Sequence, residues 1–300
     1  MTKKPIFNGT GVALVTPFRK QDAVDFSRLE AMINHIIQSG VNFIVALGTT
    51  SEAVTMTDTE KAAVLDFIVE TVNGRVPIML GLGGNNTTAL ATAINQVNFD
   101  GIDGILSVAP YYNKPQQRGL LQHLRYIAEI SPVPVVLYNV PGRTSVNISA
   151  ETTLQLAEEP NIIGIKEASG NMSQIMEILR CKPDGFQVLS GDDALTLPMI
   201  AMGASGVISV MANALPKTMS DMVAFAMKGN MKKALPLHYQ MLPLMNALFE
   251  EGNPAGVKAL LEIEGMLTNS LRLPLTKVSK PLYNKLSSLY QEFLQEAEKN

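Results

Sequence analysis

Eight short runs of apolar, largely β-branched residues recur along this chain with helical patterns between them, and that order restricts the fold more than any other feature. The runs are Val12 to Thr16, Phe43 to Leu47, Ile78 to Gly81, Ile105 to Val108, Val135 to Tyr138, Ile162 to Lys166, Gln187 to Leu189 and Val207 to Val210. Most lack strict polar alternation, as expected of parallel strands covered on both faces. The segments between them carry helical signals. Leu29, Met32, Ile33, Ile36 and Ile37 share one face at helical spacing before Gly40. Thr57-Asp58-Thr59-Glu60 has the form of a capping box, followed by an apolar stripe of Val64, Phe67, Ile68 and Val72 and a stop at Asn73-Gly74. Strand followed by helix, repeated about eight times, predicts an α/β fold closed as a (β/α)8 TIM barrel. An open doubly wound sheet is the competing architecture; it would use fewer strands, and no Gly-x-Gly-x-x-Gly fingerprint follows the first run.

After Met231 the pattern changes. Lys232 to Phe249, Asn253 to Glu264 and Lys280 to Glu298 are helical in pattern with no strand between them. Residues 1–230 are therefore expected to form the catalytic barrel and residues 231–300 a C-terminal helical region used for packing and oligomer contacts. The chain's 300 residues are 46% hydrophobic, enough for one large core with an appendage. With 24 basic and 27 acidic residues the net charge is -3, so nothing biases the chain towards nucleic acid or an anionic membrane. A small metabolite or a protein partner is expected instead. The lone Cys181 excludes an intrachain disulfide and suits a reducing compartment. No apolar stretch of the kind found in secretory signals follows Met1-Thr2-Lys3-Lys4-Pro5, so a cytoplasmic location is expected. Ala194 to Pro216 carries no charge, but Pro198, Gly203, Gly206 and Asn213 interrupt it; a buried helix and then a buried strand are expected there rather than a membrane span.

In such a barrel the reactive groups lie where strands end and βα loops begin. Lys166 closes the sixth run, Ile162-Ile163-Gly164-Ile165-Lys166. Desolvation disfavours an ammonium, and the neutral amine that results can attack a ketone to form an imine, an electron sink. Gly164, two residues earlier on the same strand face, is expected to leave room for a ligand. The ordinary alternative is a lysine that snorkels to solvent from a strand end. Tyr138 ends the fifth run; if strand order is sequential it lies beside Lys166, within reach to relay protons, though a core tyrosine with a bonded hydroxyl would look the same. Gly48-Thr49-Thr50-Ser51-Glu52 offers hydroxyls and consecutive N–H groups for a carboxylate, and Arg143 can clamp a second one in bidentate fashion. By themselves these are also ordinary turn residues and a solvated loop arginine. Gly191, just past the seventh run, and Ile208, within the eighth, are further candidates from the strand ends. No metal set is visible, since His35, His123 and His238 are far apart within helical patterns and adjacent carboxylates such as Asp192-Asp193 point apart on a strand and more often cap a helix.

These residues fall in motifs that together are specific: Gly48-Thr49-Thr50 with Glu52, Pro110-Tyr111-Tyr112-Asn113-Lys114-Pro115, Leu137-Tyr138-Asn139-Val140-Pro141-Gly142-Arg143-Thr144, Gly164-Ile165-Lys166-Glu167-Ala168-Ser169-Gly170 and Ser190-Gly191-Asp192-Asp193. In this order the chain resembles, over nearly its whole length, the pyruvate-dependent class I aldolase and lyase family that includes N-acetylneuraminate lyase. The resemblance implies that Lys166 forms the Schiff base, with no cofactor, and that Tyr138 relays protons. It implies that Thr49 links two tyrosines in a proton chain and that Thr50 helps to hold the pyruvate carboxylate. Tyr112 matches a tyrosine donated across a dimer interface, which implies a homodimer or homotetramer. Arg143 matches the arginine that receives the carboxylate of L-aspartate 4-semialdehyde, and Ile208 flanks bound pyruvate. The implied reaction is condensation of pyruvate with L-aspartate 4-semialdehyde in lysine and diaminopimelate biosynthesis. Another pyruvate aldolase acting on a sugar acid or hydroxy-oxo acid is the alternative within enzymes. A non-catalytic metabolite-binding paralogue is the alternative outside them.

Two departures from the family pattern stand out. Ser51 and Ala53 replace a glycine and a serine in the Gly-Thr-Thr-Gly-Glu-Ser pattern, which puts the conformation of that loop in question. Asp58, Lys61 and Ala89 stand where lysine-inhibited members carry two histidines and a glutamate, while Asn85 and Tyr111 are retained. Loss of a carboxylate that pairs with a ligand ammonium lowers affinity, so weak or absent feedback by lysine is implied.

Overall fold

The computed structural model describes residues 6–19 and 22–297. The expectation about a signal rests on Met1 to Pro5, which lie outside the described residues, as does Glu298 at the end of the last expected helix. Eight strands form a closed, all-parallel barrel in sequential order: β1 (Gly9–Ala13), β2 (Phe43–Ala46), β3 (Ile78–Gly81), β4 (Gly104–Val108), β5 (Val135–Asn139), β6 (Ile162–Glu167), β7 (Gln187–Ser190) and β8 (Gly206–Ser209), with β8 paired back to β1. The expected α/β barrel is the fold observed. Helices α1 (Phe26–Gln38), α2 (Asp58–Val72), α3 (Thr87–Gln96), α4 (Gln117–Ile130), the single turn α5 (Pro141–Thr144), α6 (Ala150–Ala157), α7 (Met172–Cys181), α8 (Thr196–Ala201) and α9 (Pro216–Met227) intervene between strands or follow β8. Three more follow: α10 (Met231–Ala247), α11 (Ala255–Ile263) and α12 (Lys280–Ala297).

The helix signals act as read. Leu29, Met32, Ile33 and Ile36 are the buried face of α1. Thr57 and Glu60 form both reciprocal bonds of the capping box that opens α2, and Asn73 closes it in a left-handed conformation. The uncharged stretch becomes α8 and then β8, both largely buried. Among the described residues no helix is long and apolar enough to cross a membrane.

The first strand is a correction. It runs Gly9–Ala13, three residues before the expected start at Val12. Glycines usually argue against a strand, but here one is required, because the Phe43 ring occupies the place that a Cβ on Gly11 would take, 2.2 Å away. Val15 and Thr16 instead enter the following loop, where the Val15 N–H donates to Asn213 Oδ1 at 3.1 Å.

Alternate strand residues face the barrel axis and form an inner core of Ala13, Phe43, Val45, Met79, Leu106, Val136, Tyr138, Leu189 and Ile208, joined by Phe7 from just before β1. Phe7 is fully buried and meets Phe43 edge-on, with ring centroids 5.3 Å apart, packing the core near the starts of the strands. The other faces of the strands meet the helices in two larger apolar clusters. Polar chemistry is thus left to the ends of the strands.

Candidate active site

Lys166 is the penultimate residue of β6, with an inward-pointing side chain 5% exposed. Across the β5–β6 ladder its register partner is Tyr138, itself buried, and the Lys166 Nζ stands 4.5 Å from the centre of the phenol ring. The two residues read from adjacent strand ends are therefore side by side. One residue on, the alternation turns outward. Asn139 and Glu167 are also register partners, and Asn139 Nδ2 donates to both carboxylate oxygens at 3.2 and 3.1 Å. Gln174 Nε2 (3.1 Å) and the Ser169 N–H (2.8 Å) also donate to Glu167. This fully bonded carboxylate fixes the end of β6, and with it the backbone that carries Lys166.

Two glycines near the lysine have different tasks. A Cβ on Gly191 would lie 2.9 Å from Lys166 Cε and 2.6 Å from Ala168 Cβ, so the missing side chain is the space that the lysine stem occupies. Gly164 does not leave room for a ligand, contrary to expectation. Its Cβ would meet the Gln187 carbonyl at 2.6 Å and the Gln187 Cβ at 3.0 Å, and the Gln187 side chain turns to donate to the Phe7 carbonyl. The absence of a side chain there serves strand-to-strand packing below the site. Ile208 is buried on the inner face of β8. Asp193 Oδ2 accepts from the Val210 and Met211 N–H groups at 3.0 and 2.8 Å and holds the turn that follows Ile208. Burial raises its carboxyl above the ordinary aspartate range. Asp192 Oδ1 accepts from the Ala194 N–H at 3.0 Å, so both carboxylates act as turn caps.

The loop after β2 is a tight one. Thr49–Ser51 form a single 3-10 turn, bracketed by Leu47 (φ +53°) and Glu52 (φ +58°). Non-glycine residues in the left-handed region store strain and persist where the surroundings over-determine them. Ser51 fits the position held by glycine in the family pattern: its backbone is not left-handed, and its hydroxyl donates to the Gly48 carbonyl at 2.7 Å. Thr50 is buried and Thr49 exposed. In the β4–α4 loop Tyr112 is 88% exposed with φ +73°, while Asn85 Nδ2 donates to the Tyr111 carbonyl and Asn113 Nδ2 donates to the Asn85 carbonyl. Asp58 and Lys61 pair with each other at 3.0 Å on the first turn of α2.

The residues that hold this loop come from the far end of the chain, and sequence reading did not find them. Lys258 on α11 is wholly buried; its Nζ donates to Glu52 Oε1 at 2.5 Å and to the Ser270 carbonyl at 2.9 Å, over the Phe18 ring. Burial pushes this ammonium down to about 8, against the upward pull of Glu52. The Arg272 N–H donates to Glu52 Oε2 at 3.0 Å, and its guanidinium pairs with Glu60, which it holds down at about 2. Asn253 Nδ2 donates to Thr50 Oγ1 at 2.9 Å, and the Asn253 carbonyl accepts from Arg143 Nη2 at 3.1 Å. One signal existed for Lys258, a lone charge within the apolar run Gly256-Val257-Lys258-Ala259-Leu260-Leu261. None existed for Asn253. His123 is buried on α4 against Thr87, and among the described residues no three His, Cys, Asp or Glu side chains gather as a metal set.

A closed parallel barrel with a buried lysine on its inner face, register-paired with a tyrosine, is the framework of a lysine-dependent lyase of class I. The family model described as the Dihydrodipicolinate synthetase family matches residues 6–293, and the chain belongs to that family. It is 47% identical over 285 residues to the 4-hydroxy-tetrahydrodipicolinate synthase of Phocaeicola vulgatus, covering 95% of this chain and 96% of the relative. Among solved structures, dihydrodipicolinate synthase from Aquifex aeolicus superposes with a TM-score of 0.92 at 40% identity, covering 96% of this chain and 98% of that one. A monomeric dihydrodipicolinate synthase variant superposes with a TM-score of 0.93 at 38% identity, over 96% of this chain and 97% of that one.

Proposed function

We propose that this protein condenses pyruvate with L-aspartate 4-semialdehyde through an imine on Lys166, giving 4-hydroxy-tetrahydrodipicolinate for lysine and diaminopimelate biosynthesis. The observation that carries the proposal is the placement of Lys166 against Tyr138 on the inner face of a barrel whose relatives bear that synthase name. The neutral lysine amine attacks the keto carbon of pyruvate, and loss of water leaves the imine. Loss of a methyl proton gives an enamine, which attacks the aldehyde carbon. The amine of the second substrate then attacks the imine carbon and expels Lys166, closing the ring as a cyclic imine. One water leaves overall, and the covalent bond to Lys166 takes the place of a cofactor.

In this reading Tyr138 carries protons to and from the carbinolamine, and Thr49 joins it to Tyr112 of the partner subunit. Thr50 holds the pyruvate carboxylate, Ile208 flanks bound pyruvate, Gly191 keeps the lysine stem and substrate space open, and Arg143 receives the carboxylate of the aldehyde. The assembly is a homodimer or homotetramer, and the setting is cytoplasmic, in keeping with the exposed free thiol of Cys181. Residues 1–230 form the catalytic barrel of this scheme and residues 231–300 its helical region.

Borohydride trapping with pyruvate, followed by mass mapping of the adduct, tests the imine. The adduct is expected on Lys166 and to be absent in Lys166→Ala; a reduced adduct on any other side chain overturns the scheme. Tyr138→Phe is expected to lower turnover by about a hundredfold or more while leaving pyruvate binding nearly unchanged. With pyruvate present, turnover of L-aspartate 4-semialdehyde is expected to exceed that of sugar-derived aldehydes. It is also expected to be insensitive to sub-millimolar L-lysine.

A further inference from the structure

We infer that Asn253, from the C-terminal helical region, is a positioning residue that aims the pyruvate-binding hydroxyl of Thr50 and the guanidinium of Arg143, tying the two carboxylate receptors together. The inference rests on the pyruvate reading given above for Thr50.

A threonine hydroxyl has one proton to give and two lone pairs to receive with. Asn253 Nδ2 donates to Thr50 Oγ1 at 2.9 Å and so occupies a lone pair. The Thr50 proton must then point elsewhere, and no acceptor for it occurs among the described residues. It is left to donate to a carboxylate oxygen, the stronger kind of hydrogen bond because the acceptor is charged. Without Asn253 nothing fixes the rotation of the hydroxyl, and the substrate carboxylate would have to orient it on binding.

Asn253 is 7% exposed, and its Oδ1 is buried without a partner among the described residues. A buried amide that leaves its acceptor unsatisfied in order to give its donor to a threonine is held there against a cost. The same residue's carbonyl accepts from Arg143 Nη2 at 3.1 Å, across 110 positions of sequence. One residue therefore touches both the Thr50 side, on the loop after β2, and the Arg143 side, on the turn after β5. Its neighbourhood is rigid, because Lys258, on the helix that starts two residues later, is locked to Glu52 of the same loop.

The test uses the intact protein and measures how borohydride trapping depends on pyruvate, in the native chain, Asn253→Ala, Thr50→Val and the double variant. Asn253→Ala is expected to raise the half-saturating pyruvate concentration about tenfold, with the adduct yield at saturation unchanged. In the Thr50→Val background the same change is expected to alter it less than about twofold, because the group through which Asn253 acts is gone. Equal effects in the two backgrounds, or none in the first, overturn the inference. Asn253→Asp keeps the shape but offers an acceptor where Thr50 requires a donor, so it too is expected to weaken pyruvate capture; a native pyruvate dependence in that variant also overturns the inference. Failure of trapping in the unmutated protein would count against the imine reading instead.

Discussion

At the scale of single residues, the site is shaped as much by what is missing as by what reacts. Lys166 can extend along the inner face because position 191 carries no side chain; a methyl group there would come within 2.9 Å of the lysine Cε and 2.6 Å of Ala168 Cβ. Forcing an extra carbon into packed surroundings costs about 1–3 kcal/mol. Gly191→Ala is therefore expected to slow pyruvate trapping roughly tenfold to a hundredfold by displacing the amine, with a much smaller change in the thermal midpoint. A trapping rate equal to that of the native chain would show that the lysine stem has space to spare. Gly164 makes a contrast. It also lies on the inner face of β6, yet the Gln187 backbone fills the room above it. The expectation of ligand space fell on Gly164, whereas it is at Gly191 that the lysine stem takes the place of the missing side chain, and only the neighbouring strand distinguishes the two positions.

At the scale of elements, strands two to eight were legible to within a residue or so because each is an apolar run bounded by turns. The first was not, because its glycines are strand residues for reasons supplied from far along the chain: the Phe43 ring, 32 positions beyond Gly11, fills the place of a Cβ there, and the Asn42 side chain does the same at Gly9, whose φ is +90°. The adjacency of Tyr138 and Lys166 was legible too: they end consecutive runs, and sequential strand order alone makes them neighbours. The fastening of the β2 loop was not legible. Its contacts join Glu52 to Lys258 and Thr50 to Asn253, separated by 206 and 203 positions, and no local pattern encodes pairings of that span. The buried Glu52–Lys258 pair makes a prediction at this scale. Removing one partner leaves an uncompensated buried charge, so Lys258→Met is expected to lower unfolding free energy by about 3–5 kcal/mol. The joint change Glu52→Gln with Lys258→Met should recover much of that loss. Urea unfolding with an unchanged slope is the measurement; a midpoint equal to that of the native chain would show that the pair contributes nothing to stability.

At the scale of the whole molecule, the barrel carries a large exposed aromatic residue beside its mouth. Tyr112 is 88% exposed, on a loop held by Asn85 and Asn113 in a left-handed backbone conformation, an expensive way to present a ring to water. If a second copy receives that ring, specific activity should fall on dilution in step with dissociation followed by sedimentation. Activity constant down to the single chain would show that each barrel holds a complete site, and Tyr112 would lose its assigned place in the proton chain.

The loop that carries Thr49, Thr50 and Glu52 lies in the first fifth of the chain, whereas Asn253, Lys258 and Arg272 come from its last sixth. During synthesis all eight staves therefore leave the ribosome before any of these three latches. A nascent chain can close its barrel early, but the loop after β2 is fastened only when the tail arrives; on the proposed reading of Thr50, catalytic competence is then among the last properties the growing polypeptide acquires.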